Sequence, residues 1–237
     1  MIATHRSNSS TFSTSASTDT SGLRRHLLTG TTALIAMLAL LSVTPLHAAP
    51  DAATYASARA RFQPALDGDN SAVEPAAEQL KVMSDAEPTD PVLRAYAGAA
   101  TSMKARTTYL PWRKMSYTED GLAQIDKALA QLTPAHETAP AGAVPLALET
   151  RFTAASTFLA LPSMFNRGAR GEQLLAQVLQ APNLGGTAPD FQAKVWLFAA
   201  KRASAAGQKD EARALLNKVV TGGTPHAARA QQLLAGL

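Results

Sequence analysis

The chain has 237 residues, 46 % of them apolar but only 5 % aromatic, with no cysteine and a formal charge of +4. The missing thiols exclude disulfides, thiolate metal sites, a cysteine nucleophile and a lipid-modified N-terminal cysteine. Much of the apolar content is alanine, a strong helix former and a poor strand former, so an all-α fold is expected.

The charge is unevenly spread. Ala49–Thr150 holds 9 Lys and Arg against 13 Asp and Glu, whereas Arg151–Leu237 holds 10 against 4. A basic C-terminal half suits an acidic partner, anionic lipid or nucleic acid, or is simply a solvated helix surface. No basic run interleaved with aromatics occurs there, so no nucleic acid is expected.

Met1–Ser21 is rich in Ser and Thr without an apolar period, the composition of a disordered segment. Arg24 and Arg25, an apolar block centred on Ala33–Leu41, and the small-residue end Leu46-His47-Ala48-Ala49-Pro50 follow. That order is the order of a secretory signal peptide. Cleavage is expected between Ala48 and Ala49, because a cut after Ala49 would leave Pro50 first. The block falls short of the about 20 residues a bilayer span needs, so no stable membrane span is expected in the mature chain. Arg24-Arg25-His26-Leu27-Leu28 also resembles the start of a twin-arginine export signal, and a Ser/Arg-rich organellar transit peptide is a third reading. The address that fits best is export, periplasmic or secreted, with residues 1–48 as the signal and 49–237 as the working domain.

From there helical patterns follow in pairs. A short helix over Tyr55–Ala65 ends near Pro64 and Gly68. Ser71-x-x-Glu74 has the form of a capping box, followed by the stripe Ala76, Ala77, Leu80 and Met83. Asp90 and Pro91 start the next helix as cap and first residue, with Leu93, Tyr96, Ala97, Ala100 and Met103 inward. Its partner is expected over Thr118–Leu132, burying Leu122, Ile125, Ala128, Leu129 and Leu132, with Glu119 and Asp120 in its first turn. A third pair starts near Pro145 with Leu148, Phe152, Ala155 and Leu159, and continues over Ala169–Gln180 with Leu174, Leu175, Val178 and Leu179. Asp190–Val220 is a fourth pair meeting at Gly207, which accepts the positive φ that ends a helix. Thr224-Pro225 opens a last helix to Leu237, with Ala230, Leu233 and Leu234 apolar. The expectation is therefore four hairpins, near 55–85, 91–132, 145–180 and 190–220, with a cap over 225–237.

The fourth pair carries a resemblance. Trp196, then Ala199 and Ala200, then Ala203, Ala212, Leu216 and Pro225 fall at the positions of the W-x2-L-G-x2-Y, A-x3-F and P pattern. The hairpin thus resembles a tetratricopeptide-type repeat, with smaller residues at three positions; a generic antiparallel helix pair satisfies the same spacing. The resemblance implies hairpins stacked as a short tetratricopeptide-like α-solenoid, whose concave side commonly holds an extended or helical peptide.

Two connections are longer than a tight turn requires. Tyr109-Leu110-Pro111-Trp112-Arg113-Lys114-Met115-Ser116-Tyr117 lies inside the second pair, and Leu161-Pro162-Ser163-Met164-Phe165-Asn166-Arg167-Gly168 inside the third. Each opens on Leu-Pro, continues with large apolar and basic residues, and reaches a glycine, Gly121 or Gly171. Aromatics beside Arg or Lys dominate interfaces, so Tyr109, Trp112, Arg113, Lys114, Met164, Phe165 and Arg167 are candidate partner-binding residues on one edge. The competing expectation is that Trp112 and Phe165 fold back to plug gaps between hairpins.

Chemistry is sparse. Beyond the signal only His136 and His226 remain, too few for a histidine metal site or a triad. No nucleophile elbow, phosphate loop or H-E-x-x-H motif occurs. Glu119 and Asp120 point about 100° apart on a helix, so they make no acid–base pair. Glu149 suits a general acid only if buried, and a solvated glutamate is the expectation. No cofactor or metal is expected, and the first reading is a non-catalytic exported scaffold for a protein or peptide partner in the cell envelope. The alternatives are a small-molecule or lipid-binding helical module, and an enzyme of unrecognised type.

Overall fold

The computed structural model describes residues 50–237; the Ser/Thr-rich segment, the expected export signal and its expected cut between Ala48 and Ala49 lie outside the described residues. Among the described residues the regular elements are all helical, nine α-helices in sequence, apart from an isolated bridge between Pro140 and Pro145. They are α1 (Ala52–Leu66), α2 (Val73–Ala86), α3 (Pro91–Met103), α4 (Pro111–Ala130), α5 (Leu146–Ala160), α6 (Gly168–Leu179), α7 (Pro189–Ala205), α8 (Lys209–Thr221) and α9 (Ala227–Ala235). Short 3-10 turns occupy Lys104–Arg106, Pro134–Glu137, Ser163–Phe165 and Leu184–Gly186. No helix among these residues is long and apolar enough to cross a membrane.

The helix starts follow local chemistry where the side chains are free to act. Asp51 and Asp90 each accept the N–H three residues on, Thr54 and Leu93, both at 2.8 Å, which satisfies an otherwise orphaned donor. Gly207 turns the chain between α7 and α8 with φ +77°.

Three expectations are corrected. The capping box does not form: Asp69 takes both the N–H of Ser71 at 2.8 Å and its hydroxyl at 2.6 Å, an Asx-type turn that competes for the same serine, and α2 starts at Val73 without a side-chain cap. Pro64 lies inside α1, which runs on to Leu66. Most of the first long connection is helix. Pro111, with its φ already set for a first helical position, starts α4 there rather than at Thr118, so Glu119 and Asp120 stand in mid-helix.

Packing is pairwise and then lateral. The hairpins α1/α2, α3/α4, α5/α6 and α7/α8 each close on themselves, α9 lies on α8, and α3 packs against α1, α2, α4 and α5. The first helices of the first two hairpins, α1 and α3, run parallel, as their cross-contacts show. The Tyr55 hydroxyl in the first turn of α1 donates to Asp90 at the start of α3, and Phe62, two turns on, meets Tyr96 at 5.7 Å between ring centroids. Tyr96 in turn donates to Glu149 near the start of α5, and Phe152 meets Phe191 and Phe198 of α7 at 5.6 and 5.9 Å. One apolar cluster spans the molecule from Tyr55 to Ala230, and a smaller one (Val144, Leu148, Val178, Leu184, Phe191, Val195) sits beside it, joined through Phe152 and Leu179.

The tightest joint is between α3 and α4. A Cβ on Gly121 would lie 2.5 Å from the Gly98 carbonyl oxygen and 2.7 Å from the Ser102 nitrogen; one on Gly98 would lie 2.7 Å from the Gly121 oxygen. Gly171 similarly admits Leu159 across the α5/α6 joint. Those obstacles on α3 are backbone and cannot rotate away. Gly121→Ala, despite the gain in helix propensity of about 1 kcal/mol, is expected to lower unfolding stability by about 1–3 kcal/mol through overpacking. Urea unfolding at equal or higher stability than the parent would refute this account of the joint.

Candidate functional site

Residues of α1, α3, α5 and α7 share one face. That face is a groove of about 710 Å³, within the range of ligand sites, about 300–1,000 Å³. Its apolar wall comes from Phe62 and Leu66 of α1, Met103 of α3, Phe152 and Leu161 of α5 and its end, and Phe191, Leu197 and Phe198 of α7.

Its floor is a buried polar cluster. Glu149 is only 6 % exposed, which overturns the expectation of a solvated carboxylate. One of its oxygens accepts from the Tyr96 hydroxyl, and the other takes Arg59 Nη2 at 3.2 Å. The same guanidinium nitrogen donates to the Ala141 carbonyl at 2.8 Å. Burial pushes the Tyr96 phenol well above its ordinary pKa, and the Glu149 charge adds to that. Burial works against the Arg59 charge, but the Glu149 carboxylate outweighs it and the guanidinium is held more firmly protonated. With both oxygens engaged and a fixed cation beside it, Glu149 is arranged as a structural counter-ion rather than as a proton donor.

Most of the other polar groups of the groove are also engaged, the Thr153 hydroxyl and Lys201 excepted. Ser102 donates to the Ala99 carbonyl at 2.7 Å, Ser156 and Thr157 to that of Thr153 at 3.1 and 2.8 Å, and Arg106 to that of Ala65 at 2.5 Å. Gln63 donates to Asp67 at 2.8 Å. Lys194 pairs with Asp190 at 2.9 Å, and His226 Nε2 lies 3.0 Å from the same carboxylate. Lys201 and Arg106 are exposed with no ion pair among the described residues, Arg106 being bonded to the Ala65 carbonyl and Lys201 to no carboxylate. No group of three or more His, Asp or Glu among the described residues stands close enough to hold a metal ion.

The seven residues singled out in the sequence lie elsewhere, and none lines the groove. Tyr109, Trp112 and Met164 are 97 %, 67 % and 65 % exposed, and Arg113 and Lys114 are exposed beside them. Trp112 therefore plugs no gap. Phe165 does, half-buried against the main cluster. Arg167 grips Asp126 through two bonds of 2.8 and 3.2 Å and stands over the Phe158 ring at 5.3 Å. Asp126 is about four turns, or about 21 Å, along α4 from Trp112, so the two connections are not brought together by this pair.

The groove itself was missed, although the sequence carried a signal for it. Arg59 stands four residues after Tyr55 and three before Phe62, and Glu149 three before Phe152: opposite charges at core spacing on two separate stripes, a pattern a solvated helix face does not need.

Two outcomes follow. Trp112→Ala is expected to change stability by less than about 0.5 kcal/mol, as for an exposed site, whereas Phe165→Ala loses about 1–2 kcal/mol of partial burial; thermal or urea unfolding of the pair decides it. Burial opposes the Asp190 charge, but the bond and charge of Lys194 and the neighbouring His226 outweigh it and hold the carboxyl below its usual range. A depressed acid stabilises fully above its unfolded value of about 3.9 and loses that contribution as pH falls through the folded value. Asp190→Asn should thus melt below the parent at pH 7, by at most about 1 kcal/mol for so exposed a pair, and the gap should close below about pH 3. A gap that persists there would assign the effect to something other than the charge.

Compared with known protein families, curated proteins and solved structures, the chain matches none.

Proposed function

We propose that this chain is an exported, non-catalytic helical module, tetratricopeptide-like in the stacking of its hairpins, whose groove takes a small molecule or lipid with an extended apolar body in the cell envelope. The observation that carries this reading is the state of the groove's polar atoms. An apolar wall of aromatic and aliphatic side chains surrounds hydroxyls that already donate to their own helices, and cations already paired. Such a surface rewards apolar area, at about 25 cal/mol per Å² removed from water. It offers few donors or acceptors to a ligand whose own polar groups repeat along its length.

The peptide expected from the tetratricopeptide resemblance competes for the same groove. An extended peptide presents an N–H and a C=O at nearly every residue, and each one buried without a partner costs about 1–3 kcal/mol. An amphipathic helix avoids that cost, since its backbone is satisfied internally, and it is therefore the form a peptide ligand would take. Lys201, exposed on the groove's rim, favours an anionic head on either kind of ligand. Export rests on the N-terminal pattern of Arg24, Arg25 and the Ala33–Leu41 block. The lack of catalysis rests on the engagement of both Glu149 oxygens.

Titration with a dansyl-labelled undecanoic acid tests the reading. Saturable binding is expected, and Ser156→Trp, which places a large ring in the groove, should weaken it at least about tenfold, or about 1.4 kcal/mol, while melting stays close to the parent. Lys201→Glu should weaken the anionic probe more than its methyl ester. A well-folded Ser156→Trp protein that binds the probe as the parent does, or a parent that binds an amphipathic helical peptide and not the probe, would overturn it.

A further inference from the structure

Four of the large apolar side chains left in solvent share one end. Since α1 and α3 run parallel and Arg106 reaches the Ala65 carbonyl, their C-terminal ends lie together, and the segments leaving them carry Leu66 (52 % exposed), Tyr109, Leu110 and Trp112, whereas Met164 stands apart, near the Arg167–Asp126 pair. Val82 is the remaining large exposed apolar side chain among the described residues. Single exposed hydrophobics are ordinary, but their collection on one end marks a contact surface.

The charge of that end says what it contacts. From Lys104 to Thr118 the chain carries four cations and no carboxylate, before Glu119 and Asp120 follow further along α4. Lys104 is held by Glu74, Arg106 by the Ala65 carbonyl, and Arg167 and Arg170 by Asp126. Arg113 and Lys114 are exposed and have no ion pair among the described residues. The carboxylates at the close of α1, Asp67 and Asp69, accept from the neutral Gln63 and Ser71 and keep their charge, so the attraction to anionic lipid rests on Arg113 and Lys114. Tyr and Trp, with an apolar body and a polar tip, prefer the headgroup boundary of a bilayer, and adjacent basic residues are drawn to anionic lipid.

We propose that this end of the molecule docks on the surface of an anionic lipid bilayer. Tyr109, Leu110 and Trp112 lie in the headgroup boundary, and Arg113 and Lys114 sit on lipid phosphates. The groove ends at the same place, where Leu66, Met103, Arg106 and Leu161 line it, so docking brings the mouth of the groove to the membrane. The docking stands without the proposed groove ligand and is tested apart from it.

The full chain suffices for the test. Trp112 and Trp196 are its only tryptophans, so residues 1–49 contribute no tryptophan signal even if they bind lipid. In a Trp196→Phe protein, or as the difference between parent and Trp112→Phe, the emission of Trp112 is followed as vesicles of brominated phosphatidylcholine, with or without phosphatidylglycerol, are added. The expected result is a blue shift and quenching with the anionic vesicles that fades as salt rises. Arg113→Ala together with Lys114→Ala should raise the lipid needed for half-quenching about 30-fold. Unquenched Trp112 in a chain that sediments with the anionic vesicles overturns the proposal, as does equal quenching by neutral vesicles. Half-quenching that survives the double substitution, or Trp112 covered by an envelope protein in the absence of lipid, overturns it as well.

Discussion

The closeness with which α3 can be approached governs the rest of the molecule. Four helices lie against it, and a helix can accept four neighbours only if its own side chains are small. Ala95, Ala97, Ala99 and Ala100 are all but fully buried, and Gly98 meets Gly121 of α4 backbone to backbone. Dispersion and burial act at contact distance, so bulk at these positions would open the joint. The same alanines are strong helix formers, so local propensity and global packing ask for the same residues. Large side chains then go where small ones leave gaps: Tyr55 and Phe62 between α1 and α3, Phe158 beneath α6.

A central α3 gathers its neighbours, and the groove follows. The aromatic residues that α1, α5 and α7 turn to their shared side form a wall, and Arg59 and Glu149 meet beneath it. A buried ion pair is costly to desolvate, and its attraction repays that cost only when the remaining hydrogen-bonding capacity is met. Here Tyr96 completes Glu149, while Arg59 takes the Ala141 carbonyl and, half-buried, turns its other donors toward solvent. The pair thus ties α1 to α5 across the groove floor, and leaves the space above it apolar.

How much of this was legible depends on whether a feature is local. Asp90-Pro91, Gly207 and the stripes of the second helices, such as Leu174, Leu175 and Val178, announce themselves through periodicity and capping, and they lie where the sequence places them. Ser71-x-x-Glu74 shows the limit of local reading, because Asp69 two residues earlier takes the serine first. Arg113–Tyr117 shows another: aromatic and basic residues without an apolar period read as a loop, yet nothing among them breaks a helix once Pro111 has started one. The groove is harder still. Its residues come from four helices, and Phe152 or Phe198 reads as core on its own helix. Only the register between helices reveals that each is half-buried at a shared wall.

Aromatic residues are scarce in this chain, which makes their disposition informative. Tyr55, Tyr96, Phe62 and Phe158 are buried, where each contributes about 1.5–3 kcal/mol over an exposed position. Tyr109 and Trp112 forgo that contribution, although Phe165 shows that a connection on the same scaffold can fold a ring back onto the core. Packing therefore does not dictate their exposure. The α3–α4 joint closes on Gly98 and Gly121 backbone to backbone, with Ser102 and Ile125 beside them, and no ring from the start of α4 takes part in it. A tryptophan released from the core, next to two cations with no ion pair among the described residues, is free to meet whatever the molecule rests against. In this fold, the close packing of α3 is what sets that end free.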